Sequence, residues 1–188
     1  MPESGSHIQR ILVTGGAGFN GSAVIREFQS RDVEVFVVDD LSFGNRDYLD
    51  LPDSHFRQLN ILDQEALRAA MQEFQPQWII HLAAVHFIPW CNQHPYRAAD
   101  INIRGTMNVL DCARELDDIQ GVFFASTAAV YPIHDGPVGE DHPTGPLDIY
   151  GLTKLTGERL TREFHLLSGI PAVVCRFFNA FGPNETNP

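Results

Sequence analysis

The chain has 188 residues, of which 44% are hydrophobic and 20% charged, an ordinary globular composition with room for one sizeable core. With 24 acidic against 13 basic side chains the net charge is −11, and no block of Lys and Arg exists, which argues against nucleic acid or an anionic membrane as a partner. The three cysteines, Cys91, Cys112 and Cys175, are widely spaced, imply no disulfide framework and fit a reducing cytoplasm.

Residues 1–8 are polar, lack the basic and apolar regions of a signal peptide, and read as a flexible tail before one domain over 9–188. Residues 11–13 form an apolar run of the kind that makes a buried strand. A glycine-rich turn follows, then a helix over 22–28 and a second strand over 33–38. A loop over 41–52 leads to a short strand over 55–59. Asp63 is a good N-cap for a helix reaching residue 74. The apolar run within 77–84 is a fourth strand, a long helix covers 96–116, and 121–126 is a fifth strand. A proline- and glycine-rich loop over 131–147 precedes a helix over 150–168 and a sixth strand over 171–178. No run approaches the roughly 20 apolar residues needed to span a bilayer. Strands alternating with helices predict an α/β, doubly wound parallel sheet of order 3-2-1-4-5-6, with helices on both faces and ligands beyond the carboxyl ends of the strands.

The turn after the first strand carries Gly15, Gly18 and Gly21, three apart. Glycine permits the tight turn, lets backbone approach a pyrophosphate, and lets the helix pack close on the strand. The N–H groups at the helix start then face the phosphates. Asp39, with Asp40 beside it, stands 18 residues past Gly21, where a carboxylate accepts the ribose hydroxyls of a dinucleotide. An acid there favours NAD over NADP; Arg46 lies near enough to offset part of that preference.

Lys154 is the sole lysine and stands four residues after Tyr150. On a helix the two share a face. A phenol titrates near pH 10, and a cation beside it favours phenolate, which suits proton exchange with an alcohol or carbonyl oxygen. His86, Cys91 and His94 lack metal-ligand spacing, so no metal is expected, and Ser126 lacks the Gly-x-Ser-x-Gly surroundings of a hydrolase nucleophile.

Taken together, Thr14-Gly15-Gly16-Ala17-Gly18-Phe19-Asn20-Gly21, Asp39-Asp40-Leu41, His81-Leu82-Ala83-Ala84, Asn102 with Gly105-Thr106, Ser126-Thr127, Tyr150-Gly151-Leu152-Thr153-Lys154 and Arg176-Phe177-Phe178-Asn179 resemble the extended short-chain dehydrogenase/reductases, in their NAD-dependent epimerase/dehydratase branch. The resemblance implies a catalytic set of Thr127, Tyr150 and Lys154. It implies a cofactor site for NAD at Gly15, Gly18, Phe19, Asn20, Gly21, Asp39, Asp40, Asn60, Ile61, Leu82, Ala83, Ala84, Asn102, Ser126, Tyr150, Lys154 and Phe177. His86, Thr127 and Asn179 would meet a nucleotide sugar. The loop over 85–92 would border that substrate. Dehydratases of this resemblance carry acids after the active-site threonine; here Ala128 and Ala129 follow Thr127, which disfavours elimination and leaves epimerisation at a sugar carbon, C4 by the resemblance, or simple carbonyl reduction. The alternatives are an NAD-dependent sugar dehydrogenase or reductase, and a non-catalytic NAD-binding or dimerisation module. A homodimer through the helices over 96–116 and 150–168, with Leu152, Leu155 and Leu160 as apolar contributors, is also implied. Relatives continue for over a hundred residues, so the carboxyl-terminal substrate domain is expected to be absent or truncated.

Overall fold

The computed structural model describes residues 8–185; residues 1–7, most of the expected tail, lie outside them. Six parallel strands form one sheet in the order β3-β2-β1-β4-β5-β6, as predicted. They are β1 (Arg10–Thr14), β2 (Glu34–Asp39), β3 (Phe56–Gln58), β4 (Trp78–His81), β5 (Gly121–Thr127) and β6 (Ala172–Phe177). Register sets Val13 beside both Val37 and Ile80, and Thr14 beside both Val38 and His81. The carboxyl ends of β1, β2 and β4 therefore finish at one edge of the molecule.

The strands are apolar on both sides because both sides are packed. Leu12, Phe36, Val38 and Ile79 pack with Leu67 and Met71 of α2 (Gln64–Phe74), Val109 and Leu110 of α5 (Gly105–Ala113) and Phe164 of α6 (Ile149–Ser168). The alternate residues Ile11, Val13, Val35 and Val37 pack with Ile25 of α1 (Phe19–Gln29). Asp63 caps α2 by accepting the Ala66 N–H at 3.1 Å. Asp148 caps α6 by accepting the Gly151 N–H at 2.7 Å, which puts Tyr150 in the first turn and Lys154 in the second.

Two stretches differ from the sequence reading. The loop expected over 85–92 contains a short helix, α3 (Ile88–Gln93), opened by Pro89 in its first turn. The helix expected over 96–116 is α4 (Pro95–Ala99), a π-helical segment (Asp100–Arg104) and α5, ending at Ala113. Asn102 sits in that wide turn, where its carbonyl accepts the Thr106 hydroxyl at 2.7 Å. Hydrophobic periodicity does not reveal one inserted residue in a continuous helical run.

No helix among the described residues is long and apolar enough to cross a membrane. The three cysteines are free thiols.

Candidate functional site

A cleft of about 1130 Å³ opens where β1 and β4 adjoin and the strand order reverses. Gly15 has φ +72, and a Cβ there would stand 2.6 Å from the Ala83 backbone nitrogen, so the turn and the close approach both need glycine. Gly18 is the N-cap of α1 and offers no side-chain cap, which leaves the first N–H groups of the helix facing the cleft. Phe19, Asn20 and Gly21 line the same wall.

Asp39 is buried at the end of β2. It accepts the Ala17 N–H at 2.9 Å and the Leu41 N–H at 2.8 Å, so it ties the glycine turn to the loop after β2. Burial raises its carboxyl above the ordinary range, and these two N–H donors pull it partly back. Asp40 accepts the Ser42 N–H at 2.9 Å and the Asn60 amide at 2.7 Å, closing one rim of the cleft over Ile61. Arg46 does not face this pair. Its guanidinium donates to the Leu49 and Leu51 carbonyls, pairs with Asp53 at 3.3 Å and stacks on Phe56, because the turn over 46–53 curls around it. The offset expected from Arg46 is therefore removed.

Leu82, Ala83 and Ala84 line the floor, and Thr127, Tyr150, Lys154, Phe177, His86 and Asn179 line the far half. Thr127 and Tyr150 stand together at the end of the cleft, and the Thr127 oxygen accepts the Ala129 N–H at 3.2 Å. Burial pushes the Tyr150 phenol up to about 12, and the nearby Thr127 hydroxyl opposes that rise. This corrects the expectation that Lys154 lowers the phenol in the protein alone. Lys154 is itself 3% exposed, lies over the Phe124 ring at 4.3 Å, and is pulled down to about 7 by burial.

Two other expected cofactor residues face elsewhere. Asn102 is buried and lies outside the cleft lining; its amide accepts the Val85 N–H at 2.8 Å and donates to the Val85 carbonyl and to Thr153 at 2.9 Å each. It positions the loop after β4 against α6. Ser126 borders the cleft, but its hydroxyl donates to Glu158 at 2.5 Å. Of the residues weighed for a metal, His86 lines the cleft mouth near Phe43, Cys91 is buried, and His94 stacks on Trp90 at 4.6 Å, so they do not converge.

Sequence reading missed His81. It is fully enclosed between Thr14, 2.6 Å from Nδ1, and Thr106, 2.9 Å from Nε2. The Thr106 hydroxyl donates to the Asn102 carbonyl, so it accepts from Nε2–H, and Nδ1 accepts from Thr14. The chain of bonds welds the ends of β1 and β4 to α5 and requires neutral imidazole. Burial, with the Lys154 charge second, lowers His81 to about 3. Its folded value lies below the unfolded value of 6.5, so the stability it contributes is present above pH 6.5 and lost as pH falls toward 3. Histidine NMR should show His81 as the Nε2–H tautomer, still neutral at pH 5; titration near 6.5 would contradict this network.

The sheet order, the glycine turn and the Thr127–Tyr150–Lys154 cluster define an extended short-chain dehydrogenase/reductase. The model of the NAD dependent epimerase/dehydratase family matches residues 11–188, and the chain belongs to that family. It is similar to the UDP-glucose 4-epimerase of Rhizobium meliloti, 31% identical over 173 residues that cover 92% of this chain and 52% of that protein. The crystal structure of UDP-glucose 4-epimerase from Brucella ovis in complex with NAD has a TM-score of 0.86 at 31% identity, covering 91% of this chain and 52% of that one. That of UDP-glucose 4-epimerase from Thermotoga maritima with UDP-glucose has a TM-score of 0.88 at 29% identity, covering 95% and 58%. The chain thus spans about half the length of the relatives it matches.

Proposed function

We propose that residues 9–188 are the NAD-binding domain of a nucleotide-sugar epimerase, acting at C4 of the sugar as in the relatives. The observation that carries this is Thr127, Tyr150 and Lys154 lining one end of the cleft together, with alanines at 128 and 129. The cleft suits a dinucleotide: uncapped N–H groups of α1 for the pyrophosphate, Gly18 without a Cβ beside them, and Asp39 at the ribose end. Bound there, NAD would supply the acceptor and donor of the sugar hydride, and its oxidised ring would bring a positive charge to the phenol.

Tyr150 exchanges the proton of the reacting hydroxyl, and Thr127 holds the same oxygen. Lys154 binds the nicotinamide ribose. His86 and Asn179 meet the substrate at the mouth. No carboxylate follows Thr127, so loss of water has no proton donor in that turn. In a protein that carries this chain together with a carboxyl-terminal substrate domain, incubation with NAD and UDP-glucose should yield UDP-galactose without dehydration, whereas the 188 residues alone should turn over poorly. A 4-keto-6-deoxy product, or stoichiometric NADH, would overturn this reading.

We also propose a homodimer through α4, α5 and α6, which share one face of the sheet. Tyr96 is 91% exposed there, Met107 50% and Leu152 51%, and a shallow apolar groove runs from Tyr96 to Met107. Leu160 instead packs on the core, so of the expected contributors it belongs to the sheet face. Light scattering at high protein concentration should give twice the chain mass; a monomer mass would contradict the dimer.

A further inference from the structure

Glu158 is a buried carboxylate that the reaction above does not use. It lies on α6 one turn beyond Lys154, as Lys154 lies one turn beyond Tyr150, so the three share a helix face. That face packs against β5. Tyr150 lines the cleft beside Thr127, the Lys154 ammonium lies 4.3 Å from the Phe124 ring centre, and Glu158 accepts the Ser126 hydroxyl at 2.5 Å. Gly157 leaves room for the Phe124 ring, since a Cβ there would overlap its edge.

The carboxylate is held from the other side as well. Arg176 on β6 grips it with Nε at 2.8 Å from Oε1 and Nη2 at 2.8 Å from Oε2. The guanidinium is itself fixed by donating to the Tyr131 hydroxyl at 2.7 Å and the Glu140 carbonyl at 3.0 Å. A bidentate pair of this kind sets orientation as well as charge. Together these bonds keep Glu158 ionised at 9% exposure, with its carboxyl below the ordinary range.

Lys154 has greater need of such a partner than its surroundings suggest. Its ammonium lies over the Phe124 ring of β5, the titratable groups that act on it are Glu158 on α6 and His81 on β4, and Tyr150 shares its helix face. His81 is neutral, and Cys91 of α3 faces Tyr150. Glu158 is the one anion that favours the ammonium, acting through space, while burial opposes it.

We propose that Glu158, clamped by Arg176 and Ser126, is a positioning residue that holds the buried Lys154 as a charged ammonium on the Phe124 ring, one helical turn from Tyr150. The role in catalysis rests on the reading that Lys154 and Tyr150 serve the cofactor and the proton transfer; the electrostatic claim does not. A neutral lysine at this place would lose its charge toward Tyr150 and donate more weakly to a ribose oxygen.

Because Lys154 is the sole lysine, ¹³Cε-lysine NMR reports it as a single side-chain signal. In the wild-type chain that signal should titrate near pH 7. Glu158→Gln should weaken the proton affinity of Lys154 by about tenfold or more, and Glu158→Asp should restore most of it. If Glu158→Gln unfolds because Arg176 is left unpaired, the double variant Glu158→Gln/Arg176→Met removes both charges and should show the same loss. A folded variant lacking the carboxylate whose lysine titrates within twofold of wild type would overturn the proposal, even if its melting temperature fell. Failure of the wild-type chain to bind NAD would remove the cofactor reading and leave the titration result standing.

Discussion

In a protein that carries this chain together with a carboxyl-terminal substrate domain, Tyr150→Phe should reduce nucleotide-sugar turnover about 10²–10⁴-fold while NAD affinity changes by no more than a few-fold. The ring stays in place and only the hydroxyl is lost. That hydroxyl belongs to the side chain that lines the end of the cleft beside Thr127. The phenol is pushed up to about 12, so at neutral pH it is protonated and poised to donate. It becomes a base when positive charge gathers around it, which is the part Lys154 plays from the next turn of α6. The variant should fold normally, because Tyr150 lines the cleft and does not lie in the main core. Epimerisation assays with a parallel NAD titration check this. Turnover within a few-fold of wild type would remove Tyr150 from the mechanism.

Asp39→Ala should weaken NAD binding about 10–100-fold and lower the melting temperature together. Both carboxylate oxygens accept backbone N–H groups, one from Ala17 in the glycine turn and one from Leu41. Removing the acceptor leaves two donors without it in a buried place, at a cost of about 1–3 kcal/mol for each group left unsatisfied. The turn that shapes the pyrophosphate wall loses its tie at the same time. The loss of charge acts separately: NADP, repelled in the wild type, should lose less affinity than NAD. Calorimetry of both cofactors against the variant separates these effects. An unchanged ratio of NAD to NADP affinity would refute the role of Asp39 in cofactor choice.

The parts legible in the sequence are those encoded locally. Strand order followed from apolar runs alternating with helical periods, and the glycine turn from three residues within one short segment. Asp39 and the Tyr150–Lys154 pair also lie at short, readable spacings. What was not legible depends on partners far apart in the chain. Ser126 reads as a cleft residue, yet its hydroxyl belongs to Glu158, 32 residues on. Asn102 reads as a cofactor residue, yet a π-helical turn aims its amide at Val85. Arg46 looked close to Asp39 along the chain, but carbonyls of its own loop capture it. The Tyr150 phenol moved against expectation because burial dominates its surroundings, and burial has no signature in a five-residue motif.

The cleft where β1 and β4 adjoin is the proposed NAD site, with Asp39 at its ribose end. Isothermal titration of the wild-type chain with NAD and with NADP tests it most directly. Saturable one-to-one binding of NAD, with NADP weaker by about tenfold or more from the repulsion of its extra phosphate by Asp39 and Asp40, is the predicted result. No binding of NAD, or NADP bound as tightly as NAD, would contradict it.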